Sequence, residues 1–283
     1  MQNKTKEYKR IKKLAVSIAE KAGKYALKRM GNLKEIKHKE GVNNLVTDVD
    51  KKCEEMIISK INKTFPGHSI LAEESGEHGA KGGIRWVIDP LDGTTNYAHT
   101  FPFFCVSIGI IFEDVVRVGV VYDPSRDELF SAEEGTGAFL NKRRISVSKQ
   151  RKVQDSLLAT GFAYDIDGRI ANLDYFKIML ENSQALRRAG SAAIDLCYVA
   201  SGRFDGFWEF NLNPWDTAAG QLIVKEAGGL VTTLNGNQFD IFKKEIIATN
   251  GLIHDEMIRL FNRRGAFPNF TSEGTGATVP SVR

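Results

Sequence analysis

The residues of this sequence that can do chemistry are carboxylates at particular spacings. Asp89-Pro90-Leu91-Asp92-Gly93-Thr94-Thr95-Asn96 sets two of them three residues apart across a proline. Proline fixes φ and has no N–H. A tight turn there can aim Asp89, Asp92 and a carbonyl between them at one point. Hard oxygen donors suit Mg²⁺ or Mn²⁺, and no His or Cys cluster competes for a softer metal. Gly93 permits an unusual backbone angle or a close approach. Thr94 and Thr95 supply hydroxyls, and the N–H groups of residues 93–95 can open a helix towards an anion. Metal ligands beside an anion cradle are what phosphoryl transfer requires. Taken alone, Asp-Pro-x-Asp-Gly is as readily an ordinary turn, because Asp, Pro and Gly are all turn formers.

Other acids have positions that matter. Glu73 and Glu74 follow one apolar run, Asp89 follows the next, and Asp216 starts a helix after the turn 211–214. Strand ends and helix starts gather at one sheet edge, where α/β folds bind ligands. Asp48 and Asp50 stand at another helix start and read as N-caps. Asp195 is a helix-borne acid with no partner in view, and Asp205 a strand or turn position. Arg187-Arg188 suits either substrate phosphate or a structural ion pair. Trp215 reads as packing. The histidines at 38, 68, 78, 99 and 254 lack metal-ligand spacing and read as surface or loop residues.

The elements that must position these residues follow from periodicity. Ile11, Leu14, Ile18, Ala22 and Tyr25 predict an amphipathic helix over about 7–30, closed by Gly31. Residues 31–44 read as a loop or hairpin, and 48–65 as a second helix stopped by Pro66-Gly67. Strands are predicted at 69–72 and 84–88, then as hairpins at 106–112 with 115–122 and at 128–132 with 137–141. Later segments alternate: strands at 157–160, 185–188, 204–210, 230–233 and 246–249, helices at 172–182, 191–201, 215–227 and 252–263. That rhythm is α/β.

The bulk composition is that of an ordinary globular chain, 283 residues with 42% hydrophobic and 26% charged. The three cysteines, 53, 105 and 197, are dispersed and read as reduced, buried thiols of a cytoplasmic protein. No signal peptide or membrane span is expected. Residues 1–40 carry 13 basic and 4 acidic side chains, net +9, so the rest is net −5 to give +4 overall. Such a basic helix can attract nucleic acid, but Tyr8 and Tyr25 alone make no stacking platform, and it reads first as a solvated face. Residues 266–283, rich in Gly, Thr, Ser and Pro, are expected to be a disordered tail.

Taken together, Leu45-Val46-Thr47-Asp48-Val49-Asp50, Ala72-Glu73-Glu74-Ser75, Trp86–Asn96, Arg188–Ala193 and Pro214–Gly220 resemble the inositol monophosphatase family in order and spacing across about residues 7–263. The resemblance implies a layered αβαβα sandwich, an α+β half over 1–145 and an α/β half over 146–265, with the site between them. It implies two Mg²⁺ ions, one on Glu73, Asp89 and the Leu91 carbonyl, the other on Asp89, Asp92 and Asp216. A third, weaker ion is implied near Glu73. Thr94, bonded to Asp50, and Glu73 would activate water. Asp92, Gly93, Thr94, Thr95 and Asp216 would bind the phosphate end, and Gly190, Ser191, Ala192 and Glu209 the hydroxyl-bearing ring. Lys39 matches a mobile loop that closes on the site. The implied reaction is hydrolysis of a small sugar or cyclitol phosphate, inositol-1-phosphate first and fructose-1,6-bisphosphate as alternative or second activity. A 3′-phosphoadenosine phosphatase fits less well, because those relatives carry Lys after Asp-Gly-Thr. A homodimer is implied, and association with RNA polymerase, known for some bacterial relatives, is a rival role.

Overall fold

The computed structural model describes residues 2–39, 45–79 and 83–262. The expected tail, 266–283, lies outside the described residues. Helix α1 (Gln2–Arg29) buries Ile11, Ala15, Ile18, Ala19, Ala22 and Ala26, a stripe at helical spacing that lets the helix lie close on its neighbours. It begins five residues earlier than periodicity predicts, because its first turn is polar. Gly31, at φ +77°, follows its end. Strands β1 (Ile36–His38) and β2 (Leu45–Thr47) pair antiparallel, so the segment after α1 is a hairpin. Helix α2 (Asp48–Thr64) opens with a capping box in which the Thr47 hydroxyl accepts from Val49 N and Asp50 N while Asp50 accepts from Thr47 N.

Helices α1 and α2 cover one face of an eight-stranded sheet. Its strands are β3 (Ser69–Ala72), β4 (Gly76–His78), β5 (Ile84–Asp92), β6 (Cys105–Phe112), β7 (Val115–Asp123), β8 (Glu128–Glu133), β9 (Gly137–Leu140) and β10 (Arg143–Arg144). The order is β10-β9-β8-β7-β6-β5-β3-β4, antiparallel except for β3 beside β5. The short helix α3 (Thr94–Ala98) follows β5.

Strand β5 departs from the predicted end at Ile88. It runs on to Asp92, with a bulge between Asp89 and Asp92. Pro90 has no N–H to give the ladder, so pairing with β6 lapses there and resumes at Asp92 opposite Cys105. The two aspartates are therefore presented by a bulged strand rather than by a free turn.

A second sheet has the order β12-β11-β13-β15-β14, from β11 (Leu157–Thr160), β12 (Ala185–Arg187), β13 (Gly206–Phe210), β14 (Leu230–Thr232) and β15 (Glu245–Thr249). The β12-β11-β13 part is parallel. Helices α5 (Ala192–Ala200) and α6 (Pro214–Glu226) are sandwiched between the sheets, and α4 (Ile166–Asn182) and α7 (His254–Asn262) form the outer layer. The layers thus read αβαβα, as the resemblance implies. Helix α4 starts six residues before the predicted Asn172, at an Asp165 N-cap.

Helix α6 fits its sheet through absent side chains. A Cβ at Gly109 would meet Ala218 Cβ at 2.6 Å, and one at Gly119 would meet the Ala219 carbonyl at 2.6 Å. These glycines face each other across β6 and β7.

All three cysteines are buried free thiols. One histidine contradicts the reading of all five as surface or loop residues. His254 is buried, with Thr232 Oγ1 at 2.8 Å and Thr249 Oγ1 at 2.9 Å from its ring nitrogens. His68 stacks on Phe65, and its Nδ1 accepts from Trp86 Nε1 at 3.0 Å. Lone histidines carry no sequence signal for such packing. No helix among the described residues is long and apolar enough to cross a membrane.

Candidate active site

The carboxyl end of β5, the start of α3, the start of α5 and the start of α6 border one cleft of about 720 Å³. Asp89 sits in the β5 bulge, 2% exposed, where its Oδ1 accepts from Leu91 N at 2.9 Å. Asp92 is clamped from across the molecule. Its Oδ2 accepts from Ser191 Oγ at 2.6 Å and Ala193 N at 2.9 Å, at the start of α5. Asp216 is the third residue of α6, and its Oδ2 accepts from Asn213 N at 2.7 Å in a capping box. One oxygen of each aspartate is thus held by a fixed donor, from a neighbouring residue for Asp89 and Asp216 and from α5 for Asp92.

Glu73 and Glu74 follow β3. Glu73 N donates to Ile88 O at 3.1 Å, which ties this turn to β5. Lys39 Nζ lies 2.8 Å from Glu73 Oε1 and 2.5 Å from Glu74 Oε1. Lys39 therefore comes to the site that its hairpin borders.

Gly93 has φ +94°, and a Cβ there would meet the Phe103 carbonyl at 2.8 Å. Glycine satisfies both the left-handed angle and the close approach. Thr94 Oγ1 lies 3.0 Å from Asp50 Oδ1 and 3.1 Å from Leu91 O. Asp50 does cap α2, as its position suggests, and its second oxygen reaches Thr94. Thr95 follows in the first turn of α3, whose leading N–H groups lack helical acceptors. Gly190, Ser191 and Ala192 line the opposite side, joined to α3 by Asn96 Nδ2, which donates to Ala189 O at 2.9 Å and Phe103 O at 2.8 Å. Glu209 of β13 completes the floor.

The structure thus gathers Glu73, Asp89, Leu91, Asp92, Gly93, Thr94, Thr95, Gly190, Ser191, Ala192, Glu209 and Asp216 around this cleft, with Asp50 behind Thr94. Asp195 is buried on α5 with no hydrogen-bond partner for either oxygen among the described residues. Asp205 is structural, accepting from Ser148 Oγ at 2.5 Å and Leu157 N at 2.8 Å. Trp215 is part-buried against the core and borders the cleft. Gly161 carries no motif, yet any Cβ there would overlap the Glu209 carboxylate. Tyr164, Arg169 and Lys244 also line the cleft. They are isolated loop or helix-start residues, and nothing in their local sequence marks them.

Burial governs the electrostatics. It raises Asp89 well above the usual carboxylate range, with Glu73, Asp92 and Asp216 adding repulsion. Asp216 rises likewise by burial, reinforced by Asp92. Burial pushes Asp92 and Asp50 up to about 6, Glu74 to about 7 and Glu209 to about 8. Burial works against the charge of Lys39, but Glu73 and Glu74 hold it above the usual ammonium range.

Among the described residues, no three His, Cys, Asp or Glu side chains already close on one metal-sized point. The carboxylates instead ring the floor, with Lys39 between two of them. The donor set nevertheless fits hard divalent cations: Glu73, Asp89, Asp92 and Asp216 offer oxygen donors, and these carboxylates repel one another without a counter-charge.

The model of the inositol monophosphatase family matches residues 7–266. An inositol-1-monophosphatase of Synechocystis sp. is 47% identical over 83% of this chain and 83% of its own length. A putative Nus factor SuhB of Neisseria meningitidis is 40% identical over 88% and 96%, and a fructose-1,6-bisphosphatase/inositol-1-monophosphatase of Thermotoga maritima 38% identical over 88% and 94%. The crystal structure of the extragenic suppressor protein suhB from Bartonella henselae superposes with a TM-score of 0.85 at 41% identity, covering 90% of this chain and 99% of that one.

Proposed function

We propose, since the chain belongs to the inositol monophosphatase family, that it is a Mg²⁺-dependent phosphomonoesterase acting on a small sugar or cyclitol phosphate. The leading reaction is inositol-1-phosphate to myo-inositol and phosphate, with fructose-1,6-bisphosphate as a second substrate. One observation carries this reading: the carboxylates of Glu73, Asp89, Asp92 and Asp216 share a cleft with a Thr94–Asp50 hydrogen bond and the opened first turn of α3.

Glu73, Asp89 and the Leu91 carbonyl would hold one ion, and Asp89, Asp92 and Asp216 a second. A third would sit more weakly near Glu73, and Mn²⁺ could replace Mg²⁺. When bound, the metal would neutralise phosphate charge and make water acidic enough to attack. The chain's own residues do the rest. Asp50 accepts the Thr94 hydroxyl hydrogen, so that Thr94 would take a proton from the attacking water as its own hydrogen passes to Asp50. Glu73 orients the same water. The N–H groups at 93–95 and the Thr95 hydroxyl take the phosphate oxygens. Gly190, Ser191, Ala192 and Glu209 face the hydroxyl-bearing part, with Glu209 as acceptor.

On this reading most metal ligands come from a part spanning 1–145, and Asp216 and the ring contacts from 146–265. The enzyme works in the cytoplasm as a homodimer. The cationic α1 and the Nus-factor name of the Neisseria relative favour a second role at a transcription complex. An Asp89→Asn protein separates the two, since a transcriptional role survives loss of catalysis. Phosphate release from inositol-1-phosphate, fructose-1,6-bisphosphate and 3′-phosphoadenosine compounds at millimolar Mg²⁺ tests the enzyme reading. Release from none of them removes these substrates and leaves the phosphatase class.

A further inference from the structure

Helix α4 is apolar on both of its faces. Inward, Tyr175, Ile178 and Met179 are buried in the core beneath it. Outward, Ile166, Ile170, Leu173 and Leu180 follow one another at four, three and seven residues, a spacing that keeps them in one stripe. All four are exposed, from 54% for Leu173 to 65% for Ile166. Single exposed aliphatic residues are ordinary, but four in line on one helix mark a face that something covers. Beside the stripe runs a row of exposed acids, Asp167, Asp174 and Glu181, again seven residues apart. None of the three is ion-paired among the described residues.

The described residues end at Asn262, the last of α7. Phe261 packs on α4, its ring centroid 4.9 Å from that of Tyr175. The chain that follows therefore starts beside α4. Over 263–270 it reads Arg-Arg-Gly-Ala-Phe-Pro-Asn-Phe, a basic pair and then two aromatic residues around a proline. No aromatic residue follows Phe270. To reach the outward stripe the chain must clear a helix roughly 10–12 Å across with its side chains. Phe267 is five residues past Asn262 and Phe270 eight, reaches of up to ~17 and ~27 Å at ~3.4 Å per residue. A basic pair followed by aromatic residues matches a surface that offers an acidic row and an aliphatic stripe. The tether also holds this segment at an effective concentration of about millimolar. A second copy of the chain fits the face less well, because four side chains fall far short of the roughly 20–30 residues a side of a stable interface.

We propose that this chain covers its own α4: the segment 263–270 folds back over the helix, with Phe267 and Phe270 on the aliphatic stripe and Arg263 and Arg264 at the acidic row. The face lies outside the cleft, so the proposal stands whichever substrate the cleft takes. Hydrogen exchange on the full chain tests it. Phe267→Ser/Phe270→Ser should speed amide exchange over 166–180 by about tenfold or more, the least expected from losing a buried Phe side chain, and leave α1 unchanged. The reciprocal change is made on the helix. Leu173→Gln alters an exposed side chain, a kind of substitution that folds tolerate. It should let trypsin cut after Arg263 and Arg264 about tenfold faster, because cleavage follows the population of the undocked segment. Exchange over 166–180 that the double variant leaves unchanged overturns the proposal. So does equal cleavage of Leu173→Gln and the wild type. Protection of α4 that falls when the wild type is diluted overturns it too, and makes a second copy the cover. If the double variant loses protection in α1 as well, the Leu173→Gln cleavage rate alone decides.

Discussion

Thr94 has one hydroxyl hydrogen and two acceptors in reach, Asp50 Oδ1 at 3.0 Å and Leu91 O at 3.1 Å. Whichever it serves, its lone pairs face elsewhere, and that is the property a proton-accepting hydroxyl needs. Thr94→Val keeps the shape and loses the hydroxyl. It should lower kcat by about 100-fold, the low end for general acid–base loss, while Thr94→Ser keeps most of the rate in steady-state phosphate release. Glu209 gives a pH test. Burial lifts its carboxyl from 4.5 to about 8. The folded state therefore holds a proton that the unfolded state has lost. Its contribution to stability is full below about 4.5 and disappears as pH rises to about 8. Glu209→Gln should remove this part of the alkaline loss, and melts of both proteins from pH 5 to 9 check it. At this scale much was legible. Asp89, Asp92 and Asp216 stand out because their neighbours are turn formers and helix starters. Asp50 reads as a cap from sequence and is one, but its second oxygen meets Thr94 only through tertiary packing. Arg169 and Lys244 had no local signal at all.

Among the elements, β5 and α6 matter most, because they carry the aspartates. The sequence implied a strand ending at Ile88 and a turn beyond it. Proline and glycine pointed to irregular backbone at the right place, but a bulge and a turn share those residues, and only pairing with β6 distinguishes them. Gly93→Ala puts a Cβ against the Phe103 carbonyl at a left-handed φ. It should cost roughly 1–3 kcal/mol in denaturant unfolding and depress activity as well. Gly109→Val tests α6. The added side chain meets Ala218 and lifts the helix that bears Asp216. Overpacking of this sort costs roughly 1–3 kcal/mol, and here it should lower kcat more than it lowers Tm suggests. Helix α1 was legible from its apolar spacing. Helix α4 was seen only from Asn172 on, because its first turn, Ile166-Asp167-Gly168-Arg169, has a single apolar residue and a glycine.

On the scale of the whole molecule, five layers place the starts of α3, α5 and α6 and the end of β5 around one cleft. The αβαβα order followed from motif resemblance and not from strand counting, since periodicity cannot say which sheet a strand joins. The layers also gather Glu73, Asp89, Asp92 and Asp216 in one cleft, so metal binding and folding should be coupled. Mg²⁺ that binds only the folded state should raise Tm, by an amount equivalent to about 2.7 kcal/mol at a hundredfold excess over its Kd. A chelator should reverse the shift, and Asp216→Ala should abolish most of it. The measurement that bears most directly on the central claim is phosphate release by Asp89→Asn beside the wild type at saturating Mg²⁺, with inositol-1-phosphate and fructose-1,6-bisphosphate. Loss of this proposed shared ligand should lower kcat/KM by at least ~100-fold on both, in line with disrupted electrostatic preorganisation. Near-normal turnover by the variant would contradict the account.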